Sequence, residues 1–319
     1  MKGFLLRRVL QIVPTLLVVA IIVFLITRIM PGNPAAVLLG PQASVEDIEA
    51  YAQQLGLNDP IISQFFQYII NLITFDFGNS LTYNQPVITL LIERFPNTIL
   101  LALSALVIAM VIGVPAGIIA AKRQNSFIDY LVTTFSLVGV SMPIFWLGLM
   151  LVLFFSVNLG WLPATGMGSF DDGLWAGLRH LILPSIALAT IPAAEFARII
   201  RSSMLEVVSQ DYIKAARSKG VHEFFVICKH GLKNALTPLL TVIGLQFSNL
   251  LGGAVLTETI FSWPGMGLLI VDAIERRDYM VVQSTVLFIA IIYVVINLIV
   301  DILYKVVNPK VNLDTGGGK

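Results

Sequence analysis

Residues 211–238 read DYIKAARSKGVHEFFVICKHGLKNALTP and form the one long basic and polar segment in a chain otherwise made of apolar runs. Asp211 is predicted to cap a helix that begins one residue later, because its carboxylate can accept the first-turn N–H groups. Gly220 predicts the end of that helix, since glycine readily takes the left-handed conformation found at helix C-termini. A second helical stretch with an apolar stripe follows, and Asn234 and Pro238 are predicted to end it. The segment is therefore predicted to be a helix, a glycine break and a second helix.

The composition of the chain is that of a membrane protein. Hydrophobic residues make up 57% of the sequence and charged residues 12%, against roughly 25% charged residues in soluble domains. Six apolar runs approach or exceed the roughly 20 residues that cross the hydrocarbon core as a helix. They lie at residues 9–27, 98–121, 131–157, 181–200, 239–257 and 284–304. We therefore predict an all-α, polytopic membrane protein with six transmembrane helices.

The distribution of positive charge sets the predicted topology. Of the 20 Lys and Arg residues, fifteen fall on the side of the six spans that holds both termini, and five fall on the other side. Because Lys and Arg accumulate on the cytoplasmic side, we predict that both termini and residues 211–238 are cytoplasmic. The run at 9–27 is too long for the apolar core of a signal peptide, and no small-residue cleavage site follows it. It is therefore predicted to be an uncleaved first span.

This topology divides the chain into four predicted regions. They are an N-terminal transmembrane helix at 1–28, a periplasmic or extracellular loop with short helices at 29–97, a five-helix transmembrane core at 98–310 that includes the cytoplasmic loop 211–238, and a disordered tail at 311–319. One helix of the outer loop is strongly apolar. Its apolar and aromatic residues are Phe65, Phe66, Tyr68, Ile69, Ile70 and Leu72. We expect it to pack on the outer membrane surface or against the helix bundle.

Residues 211–238 resemble the EAA loop of binding-protein-dependent ABC importer permeases, specifically the dipeptide, oligopeptide and nickel permease family. The general loop pattern is Glu-Ala-Ala, three residues, Gly, nine residues, and Ile-x-Leu-Pro. The matching positions here are Ala215, Ala216, Gly220 and Leu232. Lys214, His230 and Lys233 stand where the pattern has Glu, Ile and Pro. These departures resemble the peptide subgroup, which writes the loop as DY-x-x-x-AR-x-KG and later RNA.

The resemblance extends along nearly the whole chain. The subgroup phrases of the loop correspond to Asp211-Tyr212, Ala216-Arg217, Lys219-Gly220 and Lys233-Asn234-Ala235. Further phrases that resemble the family are Leu55-Gly56-Leu57-Asn58-Asp59-Pro60, Asp76-Phe77-Gly78, Phe261-Ser262-Trp263-Pro264-Gly265-Met266-Gly267, Arg277-Asp278-Tyr279 and Asn308-Pro309. Their order along the chain is specific to the family.

The resemblance implies the type I ABC importer permease fold and a role as one transmembrane subunit of an ATP-driven importer. The implied partners are a second homologous permease subunit, two ABC ATPase subunits, an extracytoplasmic substrate-binding protein and the lipid bilayer, with no nucleic acid. ATP and Mg would bind to the ATPase subunits, and no cofactor to this chain. The implied location is the bacterial or archaeal cytoplasmic membrane. We expect peptides as the cargo, with nickel chelates or glutathione as alternatives.

The resemblance also assigns site residues. The residues expected to couple the chain to the ATPases are Tyr212, Lys214, Ala215, Ala216, Arg217, Lys219, Gly220, His230, Leu232 and Asn234. The candidate pathway residues come from their polarity in or next to the fifth span and not from the resemblance. They are Gln246, Ser248, Asn249 and Glu258. Those on the fifth span could line the pathway or serve helix packing, and Glu258 could face the outer mouth or form a structural hydrogen bond. Glu195 is expected to pair with Arg198 or Arg201, and Asp301 with Lys305.

Several kinds of chemistry find no support in the sequence. The chain has no GxxxxGK[ST] motif and no nucleophile elbow, so we predict neither a nucleotide site nor an enzyme. His222, Cys228 and His230 do not share one helical face, and structural zinc normally takes four ligands. We therefore expect no metal site there.

Three readings compete with the importer permease. Residues 211–238 could be an amphipathic segment that rests on lipid headgroups. The chain could be a secondary transporter or a channel that works alone, although mid-membrane charges and inverted half-chain repeats are not evident. It could also be a membrane scaffold whose basic loop serves only for docking. A flux that requires ATP and a partner ATPase separates the importer from the last two.

Overall fold

The architecture is that of a computed structural model, which describes residues 2–29, 34–40, 42–54, 56–80, 82–169 and 171–307. Within these ranges the chain is helical and contains no strand. One isolated antiparallel bridge pairs Asn79 with Pro86. The predicted all-α class is therefore confirmed. The predicted disordered tail at 311–319 lies outside the described residues.

The structure describes thirteen α-helices in chain order. They are α1 (Lys2–Ile29), α2 (Pro34–Leu39), α3 (Val45–Gln54), α4 (Ile61–Ile73), α5 (Val87–Lys122), α6 (Phe127–Ser141), α7 (Ile144–Leu151), α8 (Leu174–Val208), α9 (Asp211–Ser218), α10 (Glu223–Phe225), α11 (Leu232–Ile260), α12 (Met266–Glu275) and α13 (Tyr279–Val307). Two π-helical segments, Val152–Asn158 and Val226–Gly231, continue α7 and α10.

Five of these helices are long and apolar enough to cross a membrane. The segments are Leu10–Arg28, Val87–Lys122, Leu174–Val208, Asn234–Ile260 and Tyr279–Ile302. A sixth span is obtained when α6 and α7, with its π-helical extension, are counted as one broken span. The described residues thus carry five spans or six, at the places where the sequence predicts six.

The predicted span at 131–157 is not one continuous helix. Its two halves are bent by 104° at a break between Ser141 and Ile144. Pro143 has no N–H to donate, and its ring disfavours the helical conformation of the preceding residue. Met142 accordingly has extended dihedral angles, φ −83° and ψ 126°. The proline therefore redirects the chain here.

The prediction that Asn234 and Pro238 end a helix is wrong. Both residues lie inside α11, which begins at Leu232 and continues to Ile260. A proline removes one backbone hydrogen bond, whereas ending the helix in lipid would leave several backbone groups unsatisfied. The helix therefore continues past Pro238, and the segment 211–238 joins directly to the fifth span.

The chain divides into two compact units, and α5 and α13 contribute to both. The first unit comprises residues 1–98 and 264–295, and the second comprises residues 99–263 and 296–319. These units are defined by packing. The four regions predicted from the sequence follow membrane topology and stay a prediction.

The first unit has a core formed by the beginning of α5, α12 and the beginning of α13. Its buried residues are Phe77, Val87, Leu90, Leu91, Met266, Leu269, Ala273, Val281 and Val282. The buried carboxylate of Asp278 accepts hydrogen bonds from the Ser80 hydroxyl at 2.6 Å and the Thr82 N–H at 3.0 Å. This carboxylate therefore fastens the turn before α5 to the start of α13.

The second unit is organised around α8, which packs against α6, α7 and α11. Glycines allow a close approach to α8: a Cβ on Gly113 would clash with the backbone carbonyl of Ala193. The missing side chain of Gly113 thus lets α5 and α8 pack closely. On α11, Gly244 packs against Val300, but Gly252 and Gly253 face open space.

A buried ion pair joins the beginning of α6 to α8 within the second unit. Arg201 donates to both carboxylate oxygens of Asp129, at 2.5 and 2.7 Å. The Asp129 side chain is 2% exposed and that of Arg201 is 28% exposed. Asp129 also accepts the N–H of Asn125 at 3.0 Å. A bidentate pair with this geometry fixes the position of the turn before α6 relative to α8.

We predict that Asp129→Asn lowers the free energy of unfolding of the chain by roughly 2–3 kcal/mol, because Arg201 then keeps a charge without its carboxylate partner. The thermal unfolding midpoint of the purified chain in detergent measures the change. Asp172→Asn, at an exposed position, is the matched control. Equal midpoints for the two variants would contradict a stabilising role for the pair.

Candidate functional site

One face of α9 is buried and the rest of the helix is exposed. Ile213 is completely buried, together with Val226, Ile227 and Ala235 of the following segment. Met204 of α8 is also buried, and its Cε lies 3.3 Å from an ideal Cβ at Gly231. The exposed residues of α9 are Asp211, Tyr212, Lys214, Ala215, Arg217 and Ser218, and Ala216 is half-buried. The helix thus rests on an apolar base and presents a polar, small-residue surface.

The prediction that Asp211 caps this helix is wrong. The helix begins at Asp211 itself, and the preceding residue, Gln210, has the extended conformation of an N-cap without a side-chain hydrogen bond. The Asp211 carboxylate accepts a hydrogen bond from Lys214 Nζ at 2.9 Å. An acidic residue in the first turn still interacts favourably with the helix dipole.

The glycine break predicted at Gly220 is confirmed. Gly220 has a φ of +74°. Its N–H donates to the Arg217 carbonyl at 2.9 Å, and the N–H of Val221 donates to the Ala216 carbonyl at 3.3 Å. This pair of bonds is the Schellman motif that ends helices at a left-handed residue. A Cβ on Gly220 would meet no atom within 4 Å, so the glycine is needed for its backbone conformation.

An ion pair that sequence reasoning missed closes the turn after Gly220. Arg217 donates to both carboxylate oxygens of Glu223, at 3.1 and 2.7 Å. These hydrogen bonds lower the pKa of Glu223, so the pair is intact at neutral pH and is lost as the pH falls through that lowered value. The side chains are 40% and 43% exposed, so solvent screening keeps the contribution below about 1 kcal/mol. The ion pair therefore contributes more to the conformation of the turn than to the stability of the fold.

A hydrogen bond between two predicted coupling residues joins the two ends of the segment. Asn234 Nδ2 donates to the Tyr212 hydroxyl at 2.7 Å. Leu232 lies nearby in sequence and is half-buried. The side chains of His230 and Lys233 lie outside the described part of the structure. The structure thus brings Tyr212 and Asn234 together, although they are 22 residues apart.

The four pathway candidates lie in two different environments. Asn249 is exposed on the surface of α11, along a stripe with Leu245, Gly252, Gly253 and Leu256. The other three, Gln246, Ser248 and Glu258, are buried within the chain. Ser248 donates to Asn297 Oδ1 at 3.2 Å. Only Asn249 therefore presents its side chain at the surface of the chain.

The expectation that Glu195 forms an ion pair with Arg198 or Arg201 is wrong for the described part of the chain. Arg201 pairs with Asp129 instead, and Glu195 accepts a hydrogen bond from Gln246. Both arginines lie near Glu195 on the same helix, but the carboxylate that Arg201 binds lies on a neighbouring helix. The side chain of Lys305, the expected partner of Asp301, lies outside the described residues.

No group of three or more His, Cys, Asp or Glu side chains that could hold a metal ion occurs among the described residues. The side chains of Cys228 and His230 are not among them. The groups that this site presents are cations, a phenol and two alanines on α9, and the amide of Asn234 at the start of α11.

Comparison with known proteins identifies the family of the chain. Residues 113–313 match the family described as "Binding-protein-dependent transport system inner membrane component". Residues 1–102 match the corresponding N-terminal family, "Binding-prot-dependent transport system membrane comp, N-term". The first match covers more than half of the chain.

Relatives of known name match over nearly their full length. The dipeptide transport system permease protein DppB of Alkalihalophilus pseudofirmus is 48% identical over 331 residues, covering 98% of this chain and 99% of that protein. The glutathione transport system permease protein GsiC of Escherichia coli (strain K12) is 43% identical over 311 residues, with the same coverage.

Solved structures show the same fold. A chain of the MetNI methionine ABC transporter in an inward facing conformation aligns with a TM-score of 0.56 at 20% sequence identity. The alignment covers 69% of this chain and 97% of that chain. At this identity the likeness concerns the fold alone. Together, the helical architecture, the family matches and the full-length relatives establish that this chain belongs to the binding-protein-dependent transport system inner membrane component family and is a multi-pass permease of an ABC importer.

Proposed function

We propose that the chain forms a peptide translocation pathway together with a second homologous permease, and that two ATPase subunits drive the pathway from the cytoplasm. An extracytoplasmic substrate-binding protein delivers the peptide. The dipeptide permease that is 48% identical over 98% of this chain supports peptides as the cargo. The glutathione permease at 43% identity supports glutathione, itself a short peptide, as the second candidate.

The observation that carries the coupling role is the exposed surface of α9. Ala215 and Ala216 leave room for close approach, and Tyr212, Lys214 and Arg217 can contact a partner protein around them. Exposed polar helices of this kind are docking elements when rigid structure holds them. Here the Schellman turn and the bond between Asn234 and Tyr212 hold the helix.

Helix α9 is connected to two long helices, α8 and α11, so its movement can be transmitted to both. Only Ser209 and Gln210 separate it from α8. After the turn at Gly220, α10 and the π-helical segment lead without a break into α11. A displacement of α9 by an ATPase is therefore transmitted to two long helices rather than absorbed by a loop. Rocking of such rigid helices is a common means of alternating access.

The ATPase subunits would bind ATP and Mg, and this chain would bind neither. A nickel chelate importer and a transporter that works alone remain the other candidates. The first would share this architecture and differ only in cargo. The second would need neither α9 nor an ATPase for transport.

Within the membrane, we assign the pathway surface to Asn249 and its exposed stripe on α11. The stripe combines an amide with two glycines, so a peptide backbone could approach closely and find a hydrogen-bonding group. Gln246 and Ser248 are buried and hydrogen-bonded to other helices, which suits a packing role. Glu258 is completely buried within the chain and is assigned to the same role.

The predicted topology can be tested with single cysteines in a Cys228→Ser background. With both termini cytoplasmic, Asp172→Cys is expected to react with an impermeant maleimide added to intact cells, whereas Ser218→Cys is expected to react only after lysis. Both positions are exposed in the chain. Labelling of Ser218→Cys in intact cells would reverse the orientation and remove the ATPases from the proposal.

We predict that Gly220→Val leaves the chain in the membrane but weakens the retention of the ATPase subunits. A β-branched residue at φ +74° costs on the order of 1–3 kcal/mol in backbone strain, so the turn and the end of α9 shift. Co-purification of the ATPases with a tagged chain measures the loss, and peptide uptake measures its consequence.

Gly160→Val is the matched control for this variant, because Gly160 has a φ of +65° and equally open surroundings but lies outside residues 211–238. Joint replacement of Lys214, Arg217 and Lys219 by Gln tests the lipid-headgroup alternative. Full retention of the ATPases and normal transport in Gly220→Val would overturn the coupling assignment. The lipid-headgroup alternative expects that result together with a graded loss of transport in the triple variant.

The purified chain is expected to release no phosphate from ATP in the absence of ATPase subunits, since the sequence carries no P-loop. Reconstitution with the ATPases should restore hydrolysis. ATP hydrolysis by the chain alone that persists through further purification would contradict the proposal that only the ATPase subunits hydrolyse ATP.

A further inference from the structure

A polar cavity with a volume of about 750 Å³ lies within the first unit. The end of α1, one face of α4, the turn before α5 and the start of α13 line it. Residues 211–238 and the exposed stripe of α11 belong to the second unit and do not contribute. A cavity of this size falls within the roughly 300–1,000 Å³ typical of small-molecule sites.

The sequence of α4 places a polar stripe against this cavity. The helix is rich in Ile and Phe, and its aromatic residues Phe65 and Tyr68 pack on Phe24 of α1, with ring centroids 5.3 and 5.6 Å apart. The polar residues Gln64, Gln67, Tyr68 and Asn71 follow helical spacing, so they share one face. All four line the cavity. The polar face of α4 lines a cavity although the helix is otherwise apolar. This indicates a binding site for a polar molecule.

Two buried polar atoms on this stripe have no hydrogen-bond partner among the described residues. Gln64 Nε2 donates to the carbonyls of Leu57 at 3.0 Å and Asp59 at 2.7 Å, which leaves Gln64 Oε1 unsatisfied. The Tyr68 hydroxyl is likewise unsatisfied. Each such group costs on the order of 1–3 kcal/mol unless something in the cavity satisfies it. Burial raises the pKa of Tyr68, so its hydroxyl stays protonated and can donate.

The charges on the cavity wall are of both signs. Arg28 lies with its guanidinium carbon 5.2 Å from the centre of the Phe24 ring, and Asp59 and Asp76 supply two carboxylates. None of these three is in an ion pair within the described part of the chain. Asp76 uses one oxygen to accept the Gly78 N–H at 3.1 Å, and its other oxygen is available. A zwitterion can place its anionic end at Arg28 and its cationic end at Asp59 or Asp76, whereas a purely anionic or purely cationic molecule can pair with only one sign of charge.

We propose that this cavity binds a short zwitterionic peptide. Arg28 faces the peptide carboxylate, Asp59 and Asp76 face the ammonium group, and Tyr68 and Gln64 bind amide groups between them. The permease would then carry a peptide site of its own in addition to the pathway. The position of this site on the outer side rests on the proposed topology, but the binding itself does not.

The test is equilibrium dialysis of radiolabelled Ala-Ala against the full-length chain in lipid nanodiscs, without ATPase subunits or binding protein. We expect saturable binding that Tyr68→Phe weakens about 3- to 10-fold, the loss of one hydrogen bond. The variant keeps the ring on Phe24 and removes a hydroxyl that has no partner among the described residues, so its thermal midpoint should not fall. Tyr130→Phe, an exposed tyrosine in the second unit, should leave binding unchanged.

Three results would overturn the proposal. They are the absence of saturable binding up to about 10 mM peptide, equal affinity for N-acetyl-Ala-Ala-amide, which carries no charge, and unchanged affinity in Tyr68→Phe. The last would place any peptide site elsewhere in the chain, such as on the α11 stripe. Because binding is measured on the chain alone, a failure here is distinct from a failure of ATPase coupling or transport.

Discussion

The need to satisfy backbone hydrogen bonds without water governs this chain more than any side-chain contact. In lipid, an unpaired N–H or carbonyl costs several kcal/mol, so a helix that meets a proline usually continues. Helix α8 continues through Pro184 and Pro192, and α11 continues through Pro238. At Met142 and Pro143, by contrast, the two helices that flank the proline are bent by 104°. Helices α8 and α11 both continue through their prolines, and they connect the exposed α9 to the membrane-spanning part of the chain.

The same constraint explains which parts of the fold could be predicted from the sequence. Apolar runs mark membrane spans directly, because length and hydropathy are properties of neighbouring residues. Gly220 was predictable for a similar reason, since a left-handed C-terminus is encoded within one turn. The ends of the helices were not: α5 begins at Val87, well before the apolar run. This early part of α5 joins apolar residues to Glu93, Arg94 and Pro96, which interrupt the hydropathy pattern but not the helix.

Pairings between residues that are far apart in the sequence could not be predicted from the sequence alone. Asp129 and Arg201 are 72 residues apart, and Ser80 and Asp278 are separated by 198. Each of these residues has closer candidates along the chain, as the mistaken pairing of Glu195 with Arg201 shows. The site was predictable as a list of residues by resemblance, but the bond from Asn234 to Tyr212 and the ion pair of Arg217 with Glu223 depend on the three-dimensional turn. Burial of Gln246, Ser248 and Glu258 likewise depends on how neighbouring helices pack.

The π-helical segment Val226–Gly231 leads into α11. A π-helical turn holds one residue more than the corresponding α-helical turn. Because that residue is taken up locally, the helical residues on either side keep nearly the phase of an unbroken α-helix. The chain can therefore gain or lose one residue at this place over evolutionary time without turning the face of α11 that packs against α8 away from it.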